Sequence, residues 1–326
     1  MNGNDYYEDK VRNKIENLLK ANNDKKYLRG FYNYMTNLSI NTIYDYIMYI
    51  INFVNMVDKQ IENLNLDDYT EYLASLTDKV ASYQITVYSA LKKFSLYLKA
   101  SGRNTSDPMQ YVSRPRFIEK EETKIKRENN YLEKREIKKY LCDIDNGVGS
   151  RLAKARQEDW KARDKAIIVT LLNTGMRCAA LYKLNVDNIN METKKLTTVD
   201  KGRKYQEYFL SDDLLEVLSD WLIEREILLD GKEEDALFIS NRKTRMDQRS
   251  ISRVVTKYAS NIEGKNVTPH KLRATYGTQL YAATKDLYFV QSCMGHSNPK
   301  TTELYIRGQK DSSRQTASEL MSKITF

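Results

Sequence analysis

The chain has 326 residues, of which 41% are hydrophobic and 30% are charged, which is ordinary for a globular protein and leaves room for about two domains. Lysine and arginine exceed aspartate and glutamate by 53 to 44. The resulting net charge of +9 favours a polyanionic partner such as nucleic acid, with a solvated basic surface as the alternative. No apolar run approaches the roughly 18 residues that cross a bilayer, so we expect no membrane-spanning helix and no membrane partner.

The cysteines and the first residues of the chain indicate a reducing compartment. Cys142, Cys178 and Cys293 are too few and too scattered for a disulfide framework. The opening segment, MNGNDYYEDKVRNK, is too polar for a signal peptide. We therefore expect a cytoplasmic protein.

Helical patterns occupy the first third of the chain. Residues 1–23 are a short polar helical segment, too small to form a domain. Residues 24–112 show four apolar stripes with short loops, which predict an all-α four-helix bundle; Ser39 is the expected N-cap of the second stripe, INTIYDYIMYIINFVNMV. Cations on the fourth helix indicate either a solvated face or a face that contacts phosphates, and they are Lys92, Lys93 and Lys99.

Residues 113–130, SRPRFIEKEETKIKRENN, are charge-dense, contain proline and include few apolar side chains. This composition is typical of a linker. A flexible connection between two basic domains would let the protein close around a duplex, whereas a plain spacer is the simpler interpretation.

A second domain is predicted to begin at Tyr131. The stretch AIIVTLLNTG is typical of a buried helix that ends at Gly175, and Arg177 follows this glycine in TGMRC. Because arginine is rarely buried without a partner, Arg177 is either half of a structural salt bridge or a phosphate ligand.

Two short strands, KKLTTVD and YQEYFLS, are predicted to form a β-hairpin around the turn KGRK. This turn presents Lys201, Arg203 and Lys204, and cations at a hairpin tip serve either solubility or contact with a nucleic-acid groove. A second basic loop, NRKTR, carries Arg242 and Arg245 ahead of another helix.

Both histidines of the chain lie near the C-terminus, each beside a helix-start signal. The dipeptide Thr268-Pro269 is typical of an N-cap followed by the first helical position. His270 and Arg273 are therefore expected on one face of the first helical turns, because residues three apart are neighbours on a helix.

The second histidine follows another helix end. Gly295 is expected to stop that helix, and the segment after it carries His296 and Tyr305. Two imidazoles, an arginine and a tyrosine at two helix N-termini suit a phosphate that is held and then attacked.

These residues carry a resemblance to a known family. H-x-L-R at His270–Arg273, followed by G-H-S-x-x-x-T-T-x-x-Y at Gly295–Tyr305, resembles the C-terminal signature of the tyrosine recombinases, the integrase and Xer-type enzymes. The similarity runs from about Asp24 to the C-terminus and is strongest from Asp164 onward. It implies a mainly α fold with a small β-hairpin or sheet, divided into an all-α core-binding domain at 24–112, a linker at 113–130, an α+β catalytic domain at 131–308 and a tail helix at 309–326.

The resemblance implies a catalytic set by position, namely Arg177, Lys201, His270, Arg273, His296 and Tyr305. Tyr305 would be the nucleophile that forms a 3′-phosphotyrosine, and the two arginines would clamp the phosphate. The first histidine would handle a proton and the second would hydrogen-bond the phosphate. The lysine would protonate the departing 5′ oxygen, with Lys204 as the alternative. Because cations supply the electrostatics, no metal and no cofactor is expected.

One position departs from the family pattern. An acidic residue usually stands three positions after the first arginine, where this chain has Ala180. That acid normally braces the site, so its absence is expected to affect the orientation of Arg177 or Lys201 and could lower activity. A catalytically impaired DNA-binding protein is therefore one alternative to a recombinase. A type IB topoisomerase, which would relax DNA as a monomer by the same chemistry, is another. Zinc at Cys293 and His296, spaced C-x-x-H, lacks further ligands in the sequence.

The resemblance also implies how the protein assembles. Its partner would be double-stranded DNA with inverted-repeat core sites, bound by two protomers per site and by a tetramer on paired sites, in a bacterial or archaeal nucleoid. Strand exchange would pass through a Holliday junction. Accessory DNA-bending or directionality factors are possible additional partners. The tail either folds back on its own domain or docks on a neighbouring copy through an apolar stripe, formed by Ala317, Leu320, Met321 and Ile324.

Overall fold

The computed structural model describes residues 3–116, 130–200, 204–263 and 265–295. Within these ranges the chain is mainly helical with one small antiparallel sheet, which confirms the predicted fold class. The chain divides into two compact units, Asp5–Lys120 and Glu121–Phe326, the latter together with Met1–Asn4. None of the helices in the described ranges combines the length and the apolar character needed to cross a membrane.

In its described residues, the unit Asp5–Lys120 contains five α-helices, which are α1 (Gly3–Ala21), α2 (Tyr27–Tyr34), α3 (Ile40–Val57), α4 (Leu66–Ala74) and α5 (Ala81–Ala100). The four helices predicted between residues 24 and 112 are confirmed as α2 to α5. The earlier helix α1 belongs to the same core, because Val11, Ile15 and Leu19 are buried in it.

Local chemistry sets the helix ends of this unit. The Ser39 hydroxyl accepts a hydrogen bond from the Thr42 N–H at 3.3 Å, which confirms the predicted cap of α3. Asn65 caps α4 by accepting from the N–H groups of Asp67 and Asp68 at 3.0 and 3.2 Å. Each such cap is worth about 1 kcal/mol relative to alanine.

The described part of the unit Glu121–Phe326 contains eight α-helices and three strands. They are α6 (Lys134–Asn146), α7 (Arg151–Glu158), α8 (Lys161–Thr174), α9 (Cys178–Leu181), β1 (Ile189–Asn190), β2 (Lys195–Asp200), β3 (Lys204–Phe209), α10 (Asp212–Leu229), α11 (Gln248–Lys257), α12 (Pro269–Thr284) and α13 (Leu287–Met294). The helix α8 is central, because α6, α10, α11 and α12 all pack against it.

A buried carboxylate anchors the beginning of α8. Asp164 is fully buried and accepts from the Arg163 guanidinium at 2.8 Å, from Lys257 Nζ at 2.5 Å and from the Tyr258 hydroxyl at 3.0 Å. Buried charges occur where they are paired and hydrogen-bonded in this way. The network ties α8 to the end of α11 and so fixes the helix whose other end forms part of the candidate site.

The sheet has the order β1-β2-β3 and is antiparallel throughout. The pairing of β2 with β3 confirms the predicted hairpin. Leu196 lies opposite Tyr208, and both side chains are buried on the inner face, as the two-residue period of a strand requires. The sequence does not predict β1, because a strand of two residues has no periodicity to detect.

Candidate active site

The candidate site begins where α8 ends. Gly175 terminates this helix with a left-handed φ of 59°, a conformation that glycine adopts without steric cost. The Thr174 hydroxyl steadies the turn by accepting a hydrogen bond from the Met176 N–H at 3.3 Å. The chain then places the half-buried Arg177 at the N-cap of α9. Arg177 therefore lies at the break between two helices, as predicted.

The beginning of α12 supplies two further predicted residues. The Thr268 hydroxyl caps this helix by accepting from the Lys271 N–H at 3.2 Å, and Pro269 occupies the first helical position. Both features confirm the predicted helix start. His270 is exposed, whereas Arg273 is only 4% exposed.

The Arg273 guanidinium joins the ends of two helices. Its Nη1 donates to the Gly175 carbonyl at 2.5 Å, and its Nη2 donates to the Met294 carbonyl at 2.6 Å. These carbonyls lie at the C-terminal ends of α8 and α13, where the helix dipole leaves partial negative charge. The two helix ends thus stabilise a buried cation, and the cation in turn fixes the segments that lead to Arg177 and to Gly295.

Arg177, His270 and Arg273 act on one another electrostatically. Although His270 is exposed overall, partial burial of its ring and the positive charges of Arg273 and Arg177 lower its pKa below the usual 6.5. Such an effect requires both guanidinium groups to lie near the imidazole. The structure therefore brings together three residues that are up to 96 positions apart in the sequence.

This arrangement makes a prediction for the His270 titration. Because nearby cations destabilise the imidazolium, the NMR midpoint of His270 is expected below 6.5 and should rise when Arg177→Gln removes one positive charge. Arg242→Gln is the matched control, since it removes the same charge from an exposed loop. A midpoint at or above 6.5, or equal midpoints in the two variants, would contradict the arrangement.

Tyr276 supports the Gly175 turn from one side. A Cβ atom added to Gly175 would lie 2.3 Å from Tyr276 Cδ1, so the ring packs directly on the glycine. Burial and the nearby Cys293 thiol raise the pKa of Tyr276 to about 12, against the lowering effect of Arg273. This phenol is therefore harder to deprotonate than an ordinary tyrosine, and its ring packs on Gly175.

The β-hairpin reaches the same region through β3. A Cβ atom added to Gly295 would lie 2.3 Å from the Gln206 Oε1, so Gln206 covers the left-handed turn that ends α13. Gly295 is thus confirmed as the predicted helix stop. Gln206 pairs with Thr198, two residues before β2 ends at Asp200. The paired strands of the hairpin therefore contact the end of α13.

The remaining predicted catalytic residues, together with one hairpin cation, lie outside the described residues, and they are Lys201, Arg203, His296 and Tyr305. Lys204 begins β3, and its backbone pairs with Asp200. Ala180 is buried on α9, so a carboxylate at this position would lie inside the protein. The sequence did not indicate the contacts that Tyr276 and Gln206 make, since neither residue belongs to a recognisable motif.

The predicted DNA-contacting cations differ in their surroundings. Lys92 and Lys99 are exposed on α5, and Lys93 lies 5.0 Å from the centre of the Tyr34 ring. Arg242 is exposed in its loop. Arg245 instead donates internally, to the carbonyls of Tyr182 and Leu184 at 3.1 and 2.9 Å and to Asn185 Oδ1 at 2.5 Å. Its guanidinium thereby holds the segment that leads into β1.

Among the described residues, no three histidine, cysteine, aspartate or glutamate side chains gather as a metal-binding group. Burial raises the pKa of Cys293, which disfavours the thiolate that binds zinc. Its C-x-x-H partner, His296, lies outside the described residues.

Comparisons with known proteins show which family this chain resembles. Residues 144–312 match the phage integrase family. The chain is 31% identical over 253 residues to tyrosine recombinase XerC of Caldanaerobacter subterraneus subsp. tengcongensis, covering 75% of this chain and 65% of that protein. It is 32% identical over 220 residues to XerC of Shewanella amazonensis, covering 67% of each chain. The chain thus spans about two thirds of the length of these relatives.

The fold also has solved neighbours. The XerH site-specific recombinase, crystallised on its palindromic difH substrate in a post-cleavage complex, superposes with a TM-score of 0.65 at 22% identity, covering 86% of this chain and 79% of XerH. This likeness concerns the fold. Taken with the sequence matches, it means that the chain belongs to the phage integrase family, the tyrosine-type site-specific recombinases.

Proposed function

We propose that this protein cuts and rejoins DNA at specific sites through Tyr305, which forms a 3′-phosphotyrosine intermediate. The observation that carries the proposal is the convergence of Arg177, His270 and Arg273, held by the ends of α8, α12 and α13. Three cationic or proton-accepting groups at one spot suit a phosphodiester, whose transition state carries additional negative charge.

The two arginines bind the non-bridging oxygens of the scissile phosphate. Guanidinium groups present paired N–H donors that match phosphate oxygens. Arg273 is held in place by two carbonyls, so it needs little reorganisation when the phosphate arrives. Preorganised donors of this kind are typically worth a factor of about 100 to 1,000 each in rate.

The proton transfers follow from the same groups. The Tyr305 oxygen attacks phosphorus, the new O–P bond forms, and the bond from phosphorus to the 5′ oxygen breaks. His270, kept neutral by its lowered pKa, accepts the phenolic proton. Lys201 donates a proton to the departing 5′ oxygen, and His296 hydrogen-bonds the phosphate. Attack by the 5′ hydroxyl of another strand reverses these steps and exchanges the strands.

The buried Ala180 changes how this site is braced. Without a carboxylate on α9, Arg177 is positioned by its place at the helix N-cap and by the Gly175 turn. No group that contacts the phosphate is lost by this departure. We therefore favour an active enzyme over an impaired DNA-binding protein.

The two predicted domains would have different functions on the DNA. Residues 24–112 would grip one side of the duplex through Lys92, Lys93 and Lys99, and residues 131–308 would cleave it. Arg203, Lys204 and Arg242 would contact the backbone or a groove from the catalytic side. Arg245 is the weakest member of this set, because three of its hydrogen bonds already hold the protein's own backbone and Asn185.

The enzyme would act on paired inverted-repeat sites as a tetramer, with two protomers per site. The palindromic substrate of XerH supports this arrangement by analogy. A further support is a groove of about 400 Å³ between α6, α8 and α12, whose apolar lining includes Ile137, Leu141, Val169, Leu172 and Leu280. The tail stripe of a second copy, from Ala317 to Ile324, has the apolar character to fill it. Tyr276 also lines this groove, so a docked tail would touch the residue that packs on Gly175.

A nicked suicide substrate tests the proposed chemistry. Loss of the short 5′ strand prevents rejoining, so the native chain should accumulate as a covalent protein–DNA adduct in the presence of a metal chelator. The variant Tyr305→Phe should bind the same DNA and form no adduct. Equal adduct with this variant would refute Tyr305 as the nucleophile, and relaxation of plasmids without a specific site would favour a topoisomerase.

A further inference from the structure

A cationic cavity lies in the unit Asp5–Lys120, where α1 ends and α2 begins. It has a volume of about 230 Å³ and a floor formed by the buried Leu19. Its walls carry four cations within ten residues of sequence, which are Lys20, Lys25, Lys26 and Arg29, together with the amides of Asn22 and Asn23. These cations are separate from the lysines of α5.

Two of the four cations have carboxylate partners. Glu16 accepts from both terminal nitrogens of Arg29, at 2.6 and 2.7 Å, and Asp24 lies 3.3 Å from Lys25 Nζ. Lys20 also lowers the pKa of Glu16 through its charge, but across the described residues neither Lys20 nor Lys26 has a carboxylate within the 4.0 Å of a salt bridge. The cavity therefore holds two positive charges beyond those that its own acids neutralise.

The backbone at the beginning of α2 adds further positive charge to the cavity. Lys26 is the N-cap of α2, no side chain caps this helix, and its first turn contains no acidic residue. By contrast, α3 and α4 are capped by Ser39 and Asn65. One N–H of the first turn of α2, that of Leu28, already donates to the Lys25 carbonyl at 2.9 Å, so the positive end of the helix dipole, and not a full set of free N–H groups, adds to the charge of the cavity.

We propose that this cavity binds a backbone phosphate of the DNA duplex. The proposal rests on the proposed function, because a DNA-binding enzyme brings polyanion to this unit. A concave site with lysine ammonium groups and an uncapped helix N-terminus recognises phosphate charge and not base sequence. The site would therefore position the protein on the duplex and contribute affinity for any DNA sequence.

Neutralising the two unpaired lysines tests the proposal. Lys20→Gln combined with Lys26→Gln should reduce the slope of log affinity against log salt by about one to two, since each phosphate contact contributes about 0.9. The loss should be uniform across specific and non-specific duplexes. Lys10→Gln combined with Lys14→Gln is the matched control, because both lysines are exposed on α1 and the same charge is removed. The control slope should equal that of the native chain.

Equal slopes for the two double variants would overturn the phosphate site. A native chain that binds DNA and forms the Tyr305 adduct would show that the proposed function survives this failure, whereas a native chain with no DNA binding would end both proposals. Repeating the titration in sodium phosphate, at ionic strength matched to chloride, separates the two sources of the ligand. A difference that is present in chloride and shrinks in phosphate would show free phosphate competing with DNA for the cavity and would support the DNA assignment. Equal slopes in chloride, with phosphate raising the melting temperature of the native chain but not of the Lys20/Lys26 variant, would assign the cavity to a free phosphate ion and contradict it.

Discussion

Arg273→Lys is expected to lower the rate of DNA cleavage by at least about a hundredfold, because lysine retains the charge but loses the paired donors that hold a phosphate. It should also destabilise the fold by about 1–3 kcal/mol. The Gly175 and Met294 carbonyls lose their donors, and a buried polar group without a partner carries a penalty of this size. Single-turnover cleavage and thermal unfolding measure the two effects.

Arg177→Lys separates the effect on DNA cleavage from the effect on the stability of the fold. Arg177 is half-buried at a helix N-cap whereas Arg273 is only 4% exposed, so Arg177→Lys should slow cleavage by a similar factor and lower the melting temperature less than Arg273→Lys does. Arg135→Lys, at an exposed position that is given no role at the site, should change neither quantity by much. If Arg273→Lys melted and cleaved like the native chain, the structural account of the guanidinium would be wrong.

Gly175→Ala is the second substitution with a large expected effect. The left-handed φ of 59° disfavours alanine by roughly 1 kcal/mol, and its Cβ would meet the Tyr276 ring at 2.3 Å. Something must therefore shift, either the ring or the turn that leads to Arg177. A displacement of about 1 Å at the clamp costs about a hundredfold in rate, so the variant should be both less stable and far slower. Unfolding and adduct formation measure this.

Gly231→Ala is the control for backbone strain alone. Gly231 has a φ of 77° and no atom within 4 Å of an added Cβ, so the variant should lose only about 1 kcal/mol and retain activity. Adding Tyr276→Ala to Gly175→Ala removes the clash, and the double variant should lose less stability than the sum of the two single losses. Simple additivity would show that Tyr276 does not press on Gly175.

The elements that the sequence predicts well depend on local chemistry. Ser39 and Thr268 cap the helices that their neighbours begin, and Gly175 and Gly295 end helices in the left-handed conformation. Each of these signals involves only a few adjacent residues, so it can be recognised without knowing the tertiary structure. These ends and the apolar periodicity between them predicted individual elements, and the family resemblance implied the overall fold class.

The contacts that build the site are long-range, and the sequence could not supply them. Arg273 and Gly175 are 98 residues apart, and Gln206 meets Gly295 across 89 residues. No local pattern specifies which carbonyl an arginine will meet. The family signature named Arg273 as a phosphate ligand, but it did not indicate that the same side chain holds two helix ends together.

Arg245 shows that a local charge pattern can also suggest a contact with DNA where the side chain bonds to its own protein. A basic loop in a cationic protein predicts a DNA contact, and the same donors can equally satisfy backbone carbonyls of the protein itself. Arg245 makes such internal bonds to Tyr182, Leu184 and Asn185. Charge alone therefore does not separate a surface ligand from a structural arginine, because the two uses of a guanidinium share one chemistry.

The most direct test of the central claim is to identify the residue that becomes linked to DNA. The adduct from the suicide substrate would be digested with nuclease and protease, and the nucleotide-bearing peptide sequenced by mass spectrometry. The chain contains 24 tyrosines, so finding the nucleotide on one particular tyrosine would be a specific result. We expect the 3′-phosphate on Tyr305 alone; its attachment to Tyr276 or to any other side chain would contradict the account.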